Sequence, residues 1–156
     1  MKAIFAGTFD PFTTGHRNIA ERAVRLFGNL TIAVASDTGK NTVSLLDRAE
    51  IVRIATLDMR AVAIEPFSGL LSDYLAKNGD CVLVRGVRGM RDTEYERDLS
   101  RVYKSLCGKD TVFLMTCAEF EHVSSTVVRE LVSLGGDING YVMPQTAELI
   151  KKLYRK

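Results

Sequence analysis

The sequence predicts an α/β protein built on a doubly wound, five-stranded parallel sheet with helices on both faces. Three observations carry that expectation. Short apolar runs alternate along the chain with longer stretches of helical period, the pattern of repeated β-α units. The runs are apolar nearly throughout rather than at every second position, as strands covered on both sides must be. The chain's 156 residues, 46% hydrophobic and 26% charged, suit one ordinary globular domain spanning 1–156, large enough to need no disulfide or metal staple.

Taken in order, Lys2 to Ala6 is the first strand, ended by Gly7. Ile19, Ala20, Ala23, Val24 and Phe27 recur at helical spacing, so Thr14 to Phe27 is a helix. Leu30 to Ala35 is the second strand, and a polar loop, Ser36 to Thr42, leads to a helix beginning near Ser44. Ala61 to Ile64 is a third strand, Leu70 to Lys77 a short helix, and Cys81 to Val84 a fourth strand. An arginine-rich loop then precedes a helix from Thr93 to Leu106, and Thr111 to Met115 is the fifth strand. Two helices close the chain, near Ser125 to Leu134 and Gln145 to Tyr154, separated by turns at Gly135-Gly136-Asp137 and Pro144.

The bulk numbers limit the partners. Lys and Arg total 21 against 19 Asp and Glu, and a net charge of +2 gives no ground for a nucleic-acid or membrane partner. Any cationic function must be local. Cys81, Cys107 and Cys117 lack metal-ligand spacing and read as small buried hydrophobes in a reducing compartment. The apolar run Ala3 to Gly7 is too short for a signal-peptide core, so a cytoplasmic protein is expected.

In open parallel sheets ligands bind beyond the carboxyl ends of the strands, and three such ends here carry unusual sequences. After the first strand comes Gly7-Thr8-Phe9-Asp10-Pro11, then Thr13-Thr14-Gly15-His16 at the start of a helix. Neither common phosphate loop is present, but the physical parts of a phosphate site are. Gly7 admits a close ligand, Gly15 leaves the helix start open, and the first turn offers N–H groups and a partial positive charge. Alone, His16 reads first as a residue capping or packing locally, and Asp10-Pro11 as a turn former. The fourth strand runs into Arg85-Gly86-Val87-Arg88-Gly89-Met90-Arg91, whose arginines suit bidentate phosphate recognition; Arg91 is the one that reads as merely solvated. Thr93 to Glu96 matches a capping box, which accounts for Glu96 without any ligand. After the fifth strand, Ser124, Ser125 and Thr126 open a helix; one hydroxyl serves as N-cap and the other two are free for a phosphate. Lys40 reads by itself as a solvated lysine, and His122 as a loop histidine. Two helix starts, an arginine loop and a histidine thus converge without a nucleophile–base pair or metal cluster. That pattern suits phosphoryl or nucleotidyl transfer by positioning and charge stabilisation.

These residues resemble the phosphopantetheine adenylyltransferases, within the nucleotidyltransferase superfamily marked by a (His/Thr)-x-Gly-His motif. Thr13-Thr14-Gly15-His16 stands for that motif. Gly7 to Pro11 looks like the family's strand-end sequence, and Arg85-Gly86-Val87-Arg88 with Asp92 and Glu94-Tyr95-Glu96 like its arginine loop and acidic helix start. Val123-Ser124-Ser125-Thr126, with Arg129-Glu130 behind it, is similar to its Ile-Ser-Ser-[Ser/Thr] signature. The resemblance runs the full length of the chain, with motif order and spacing kept. It implies a Rossmann-like nucleotidyltransferase fold, AMP transfer from ATP to 4′-phosphopantetheine, Mg²⁺ as cofactor and assembly as a homohexamer. It implies catalytic roles for His16, Arg88 and Lys40. ATP contacts would come from Thr8, Phe9, His16, Gly86, Val87, Arg88, Glu96, and the stretch Phe120, Glu121, His122, Val123, Ser124, Ser125, Thr126. Acceptor contacts would come from Thr8, Lys40, Leu71, Arg85 and Glu130, and no residue is assigned to the metal. Phe120 stands where the family commonly has tryptophan, His122 where an aromatic or apolar residue is usual, and Asp37 to Val43 aligns less readily. Left open are adenylyl or cytidylyl transfer to another acceptor, such as a nicotinamide or nicotinate mononucleotide, and a binding module without catalysis. Loss of His16 is expected to cost on the order of a hundredfold in turnover, with thermal stability hardly changed.

Overall fold

The computed structural model describes residues 1–36, 39 and 43–155, with the backbone alone of Arg91. Five strands form one sheet: β1 (Lys2–Gly7), β2 (Leu30–Ala35), β3 (Val62–Phe67), β4 (Cys81–Val87) and β5 (Thr111–Met115). All adjacent pairs are parallel and the order is β3-β2-β1-β4-β5. The winding therefore reverses between β1 and β4, and the crevice at their carboxyl ends is the topological switch point. The helices are α1 (Thr14–Phe27), α2 (Leu45–Ala55), α3 (Leu71–Lys77), α4 (Met90–Cys107), α5 (Ser125–Ser133) and α6 (Ala147–Tyr154).

The apolar runs divide cleanly between two faces because strand side chains alternate. Ala3 and Phe5, Leu30, Ile32 and Val34, and Val82 and Val84 enter one core with residues of α1, α2, α5 and α6. Ile4 and Ala6, Ala33, and Cys81 and Leu83 enter a smaller core beneath α3 and α4. Full burial of such side chains contributes roughly 1.5–3 kcal/mol each, which explains why these strands carry almost no polar positions.

Three boundaries move by three residues from the sequence expectation. The third strand runs to Phe67 through Pro66, tolerated because β3 lies at the sheet edge. The fourth strand continues through Arg85, Gly86 and Val87, so Arg85 is a strand residue and not part of a loop. The helix after it begins at Met90, capped by Gly89, so Thr93 lies inside it and its hydroxyl donates to the Gly89 carbonyl, 2.9 Å away. The expected capping box at Thr93 is therefore absent, and with it the structural account of Glu96. Cys81 is buried as expected, but Cys107 is half-buried and Cys117 exposed. Among the described residues no helix is long and apolar enough to cross a membrane.

Candidate active site

A cavity of about 400 Å³ opens at the switch point. The end of β1 supplies Gly7, Thr8 and Phe9; α1 supplies Gly15, His16 and Ile19; β4 and its exit supply Arg85, Gly86 and Arg88. Asp92, Tyr95 and Glu96 of α4 form one wall, and Val123 to Thr126, entering α5, another.

His16 is held from behind. The Thr13 backbone N–H donates to His16 Nδ1 at 3.0 Å, while the Thr13 hydroxyl accepts the His16 N–H at 3.3 Å, a reciprocal capping box in which histidine takes the place usual for Glu or Gln. A backbone N–H can only donate, so Nδ1 carries the lone pair and the neutral ring keeps its proton on Nε2. Burial, then the charges of Arg88 and Arg85, hold the imidazole at about 4, well under its ordinary 6.5. At neutral pH His16 is thus an uncharged Nε2–H donor, and the capping reading and the site reading both apply to it. The ring rests against Phe9 edge-on at 5.1 Å and against Phe12 at 5.4 Å. Phe9 adopts φ 48°, a left-handed conformation costly for an aromatic residue.

Arg85 and Arg88 are both oriented by carboxylates. Arg85 grips Glu96 through two bonds of 2.7 and 2.5 Å and donates a third to the Ala6 carbonyl, leaving two of its five N–H donors. Burial opposes the Arg85 charge, but the paired Glu96 outweighs it and the guanidinium is held more firmly protonated than usual. Arg88 donates to Asp92 at 3.0 Å and to the Val123 carbonyl at 3.3 Å. Formally the two arginines and two carboxylates cancel. What the arrangement offers a ligand is therefore aimed N–H groups more than net charge, while at His16 burial acts first and the arginine charges next.

The helix starts are more committed than the sequence suggests. In α1 the Thr14 N–H is taken by the Tyr141 carbonyl at 2.9 Å and the His16 N–H by Thr13, which leaves Gly15 among the described residues. In α5, Ser124 is the N-cap, accepting from Val127 at 3.2 Å. Ser125 is not a surplus hydroxyl, since it donates to the Pro11 carbonyl at 2.7 Å; Thr126 accepts from Arg129 at 3.2 Å, which leaves its own O–H as a donor. What remains at this helix end, among the described residues, is its unpaired first-turn N–H groups and the Thr126 O–H.

The cavity brings together Thr8, Phe9, His16, Arg85, Gly86, Arg88, Glu96, Val123, Ser124, Ser125 and Thr126. It does not bring in the other described candidates. Val87 is fully buried in the sheet, and Leu71 packs on the smaller core. Phe120 closes a 3₁₀ turn, Glu121 borders a neighbouring shallow depression beside Arg88, and His122 stands edge-on to Tyr141 at 5.7 Å. Glu130 is exposed on α5, and Lys40 lies outside the described residues. Sequence reasoning quoted Asp92 as part of the acidic helix start without giving it a site role, though in the first turn of α4 it accepts from Arg88, and it missed Arg48. Arg48 is fully buried in α2, donating to the carbonyls of Thr8, Ala35 and Val43 and so tying the ends of β1 and β2 together. A charged residue among the apolar positions of α2 was its visible signal.

A parallel sheet with clustered N–H donors at its switch point accords with a nucleotidyltransferase, and the cytidylyltransferase-like family model matches residues 4–131. The fold alone is shared with a bifunctional NMN adenylyltransferase/ADP-ribose pyrophosphatase from Francisella tularensis, at TM-score 0.71 and 19% identity; the match covers 96% of this chain and 48% of that one. Over nearly its whole length the chain is 42% identical to phosphopantetheine adenylyltransferase from Moorella thermoacetica (97% of this chain, 96% of that one) and 37% identical to that from Deinococcus radiodurans (99% and 94%). The chain belongs to the phosphopantetheine adenylyltransferase family.

Proposed function

We propose that this chain transfers AMP from ATP to 4′-phosphopantetheine, giving dephospho-coenzyme A and pyrophosphate, a step of coenzyme A biosynthesis. The observation that carries the mechanism is the neutral, rear-anchored His16 beside two carboxylate-oriented arginines. A phosphate oxygen of the acceptor attacks the α-phosphorus of ATP in line, the bond to the bridging α–β oxygen breaks, and pyrophosphate leaves. The attacking phosphate needs no base. The described hydroxyl bonded to the imidazole, that of Thr13, is only 1% exposed and is not presented as a nucleophile.

In this reading His16 Nε2–H and Arg88 hold the ATP phosphates and stabilise the negative charge that builds in transfer. Thr8, exposed at the end of β1, contacts both substrates, and Arg85 with Lys40 takes the acceptor's phosphate. The start of α5 receives the nucleotide's phosphates.

A resident Mg²⁺ does not fit the residues: among those described, no three His, Cys, Asp or Glu side chains cluster for a metal, and the cavity's Asp92 and Glu96 are engaged by arginines. A Mg²⁺ entering with ATP has phosphate oxygens and water as its natural ligands, and no step here is routed through it. The family likeness further supports one domain spanning 1–156, cytoplasmic residence and a homohexamer.

The test is pyrophosphate release from ATP with 4′-phosphopantetheine, nicotinamide mononucleotide, nicotinate mononucleotide and FMN in turn. Release with 4′-phosphopantetheine alone is expected. Release only with a mononucleotide would overturn the acceptor, and release with none would leave a binding module.

A further inference from the structure

The loop that carries Thr8 and Phe9 into the cavity is fastened from the far end of the chain. Tyr154, at the last turn of α6, donates its hydroxyl to Asp10 Oδ1 at 2.6 Å across 144 residues of sequence. Both groups are buried, Tyr154 at 3% and Asp10 at 6% exposure. Two more bonds hold the same stretch: Arg129 donates to the Asp10 carbonyl and Ser125 to the Pro11 carbonyl. Of these fasteners only Tyr154 lies beyond the residues matched by the family model.

The fastened stretch is next to strained backbone. Phe9, one residue before Asp10, holds φ 48°, a conformation that persists only when its surroundings over-determine it. That conformation places the Phe9 ring edge-on to His16 and also against Phe5 and Phe12. A restraint on Asp10 is thus one step from the surface on which the His16 ring lies. Burial, then the bond to Asp10, holds the Tyr154 phenol far above its ordinary value, so the hydroxyl remains a donor throughout the neutral range.

We propose that Tyr154 is a positioning residue for nucleotidyl transfer, fixing Asp10 and thereby the Phe9–His16 contact from the C-terminal helix. This rests on the proposed transfer reaction for its kinetic consequence, but not for its structural one. A misplacement of about 1 Å at a charge-stabilising donor can cost up to about a hundredfold. The loss belongs to the transition state, so it falls on kcat and kcat/KM together.

The experiment compares Tyr154→Phe with Ile150→Val, a fully buried position on the same helix whose aliphatic side chain makes no hydrogen bond to Asp10. Two readouts are taken well below either melting temperature: pyrophosphate release at saturating substrates, and the His16 ring signals in proton–nitrogen NMR without substrate. For Tyr154→Phe, kcat is expected to fall roughly ten- to a hundredfold with KM for ATP within about twofold, and the His16 signals to move as the ring current of Phe9 shifts. For Ile150→Val, kcat within about twofold and unmoved His16 signals are expected, whatever the loss in Tm. Unmoved His16 signals in Tyr154→Phe, or equal kcat losses in both variants, would show a bond that only stabilises α6 and overturn the proposal. If wild type releases no pyrophosphate with any acceptor, the reaction assignment fails, and the NMR comparison still decides the placement of His16.

Discussion

At the scale of the residue, His16 shows how one side chain meets a structural and a chemical demand at once. Its Nδ1 completes the capping box of α1, and this leaves Nε2–H as the donor for a ligand. Two consequences follow. His16→Ala keeps the Thr13 cap on its own backbone N–H but removes the bond from Thr13 N–H, so it should cost about 0.5–1.5 kcal/mol as well as turnover; the sequence expectation of unchanged stability is revised. His16→Gln keeps an acceptor for the Thr13 N–H, since Gln is an accepted third-position partner in such boxes. Its thermal stability at neutral pH should lie near wild type, and because its amide still carries N–H donors it should keep part of the turnover. The donor role is tested by His16→Ala, whose kcat should fall about a hundredfold, and an Ala variant with turnover intact would refute it. The pH dependence has a definite sign. The folded imidazole takes a proton only at about 4, the unfolded one near 6.5. Between those values the unfolded chain binds more protons, so stability falls as pH drops through this window and is unaffected by His16 above it. Melting curves from pH 7 to 5 should show a steeper acid loss for wild type than for His16→Gln, and parallel slopes would contradict the lowered pKa.

At the scale of the element, α1 lies close enough to the sheet that β4 needs a glycine beneath it. A Cβ on Gly86 would sit 2.8 Å from Ile19 Cγ1, inside the distance real Cβ atoms keep. Gly86→Ala is therefore an overpacking change, expected to cost about 1–3 kcal/mol, or roughly 2–4 °C of Tm per kcal/mol in a chain of this size. Ile19→Val keeps Cγ1, so the informative partner is Ile19→Ala: the double variant should be more stable than the sum of the singles predicts, and strict additivity would rule the clash out. Elements of this kind were largely readable in advance. The strands stood out because two-sided burial forbids polar positions, and α1 because Ile19, Ala20 and Ala23 recur on its buried face. What misled was local chemistry with two meanings. Thr93 and Glu96 have capping-box spacing, yet Glu96 faces the sheet to grip Arg85, and the helix starts three residues earlier. Arg85 looked like the start of a loop because charge is rare inside a covered strand, and only the Glu96 carboxylate makes it tolerable there. The serine pair had a similar ambiguity, settled by a Pro11 carbonyl more than a hundred residues away. No local pattern encodes a partner at that separation, and the same holds for Tyr154 and Asp10.

At the scale of the whole molecule, the two faces of the sheet are unequally covered. Four helices close one face and α3 and α4 the other. On α4, Tyr95, Val102 and Leu106 are 65%, 48% and 64% exposed and stand seven and four residues apart, so they share one side of the helix. About a quarter turn round the helix, Glu96 and Tyr103 turn inward, toward Arg85 and the smaller core. An apolar stripe on an outer helix face is area that association can use. If the chain forms the homohexamer proposed from its family, the native mass by sedimentation equilibrium should be six times the single chain's 17.3 kDa. Leu106→Glu would place a charge in the stripe far along α4 from the cavity-lining Asp92, Tyr95 and Glu96. It should shift that mass to smaller species while the far-ultraviolet circular dichroism stays at the wild-type signal, because the residue contributes little to the core of its own chain. An unchanged hexameric mass would place the contacts elsewhere on the surface, and a monomeric wild type would remove the assembly from the reading altogether.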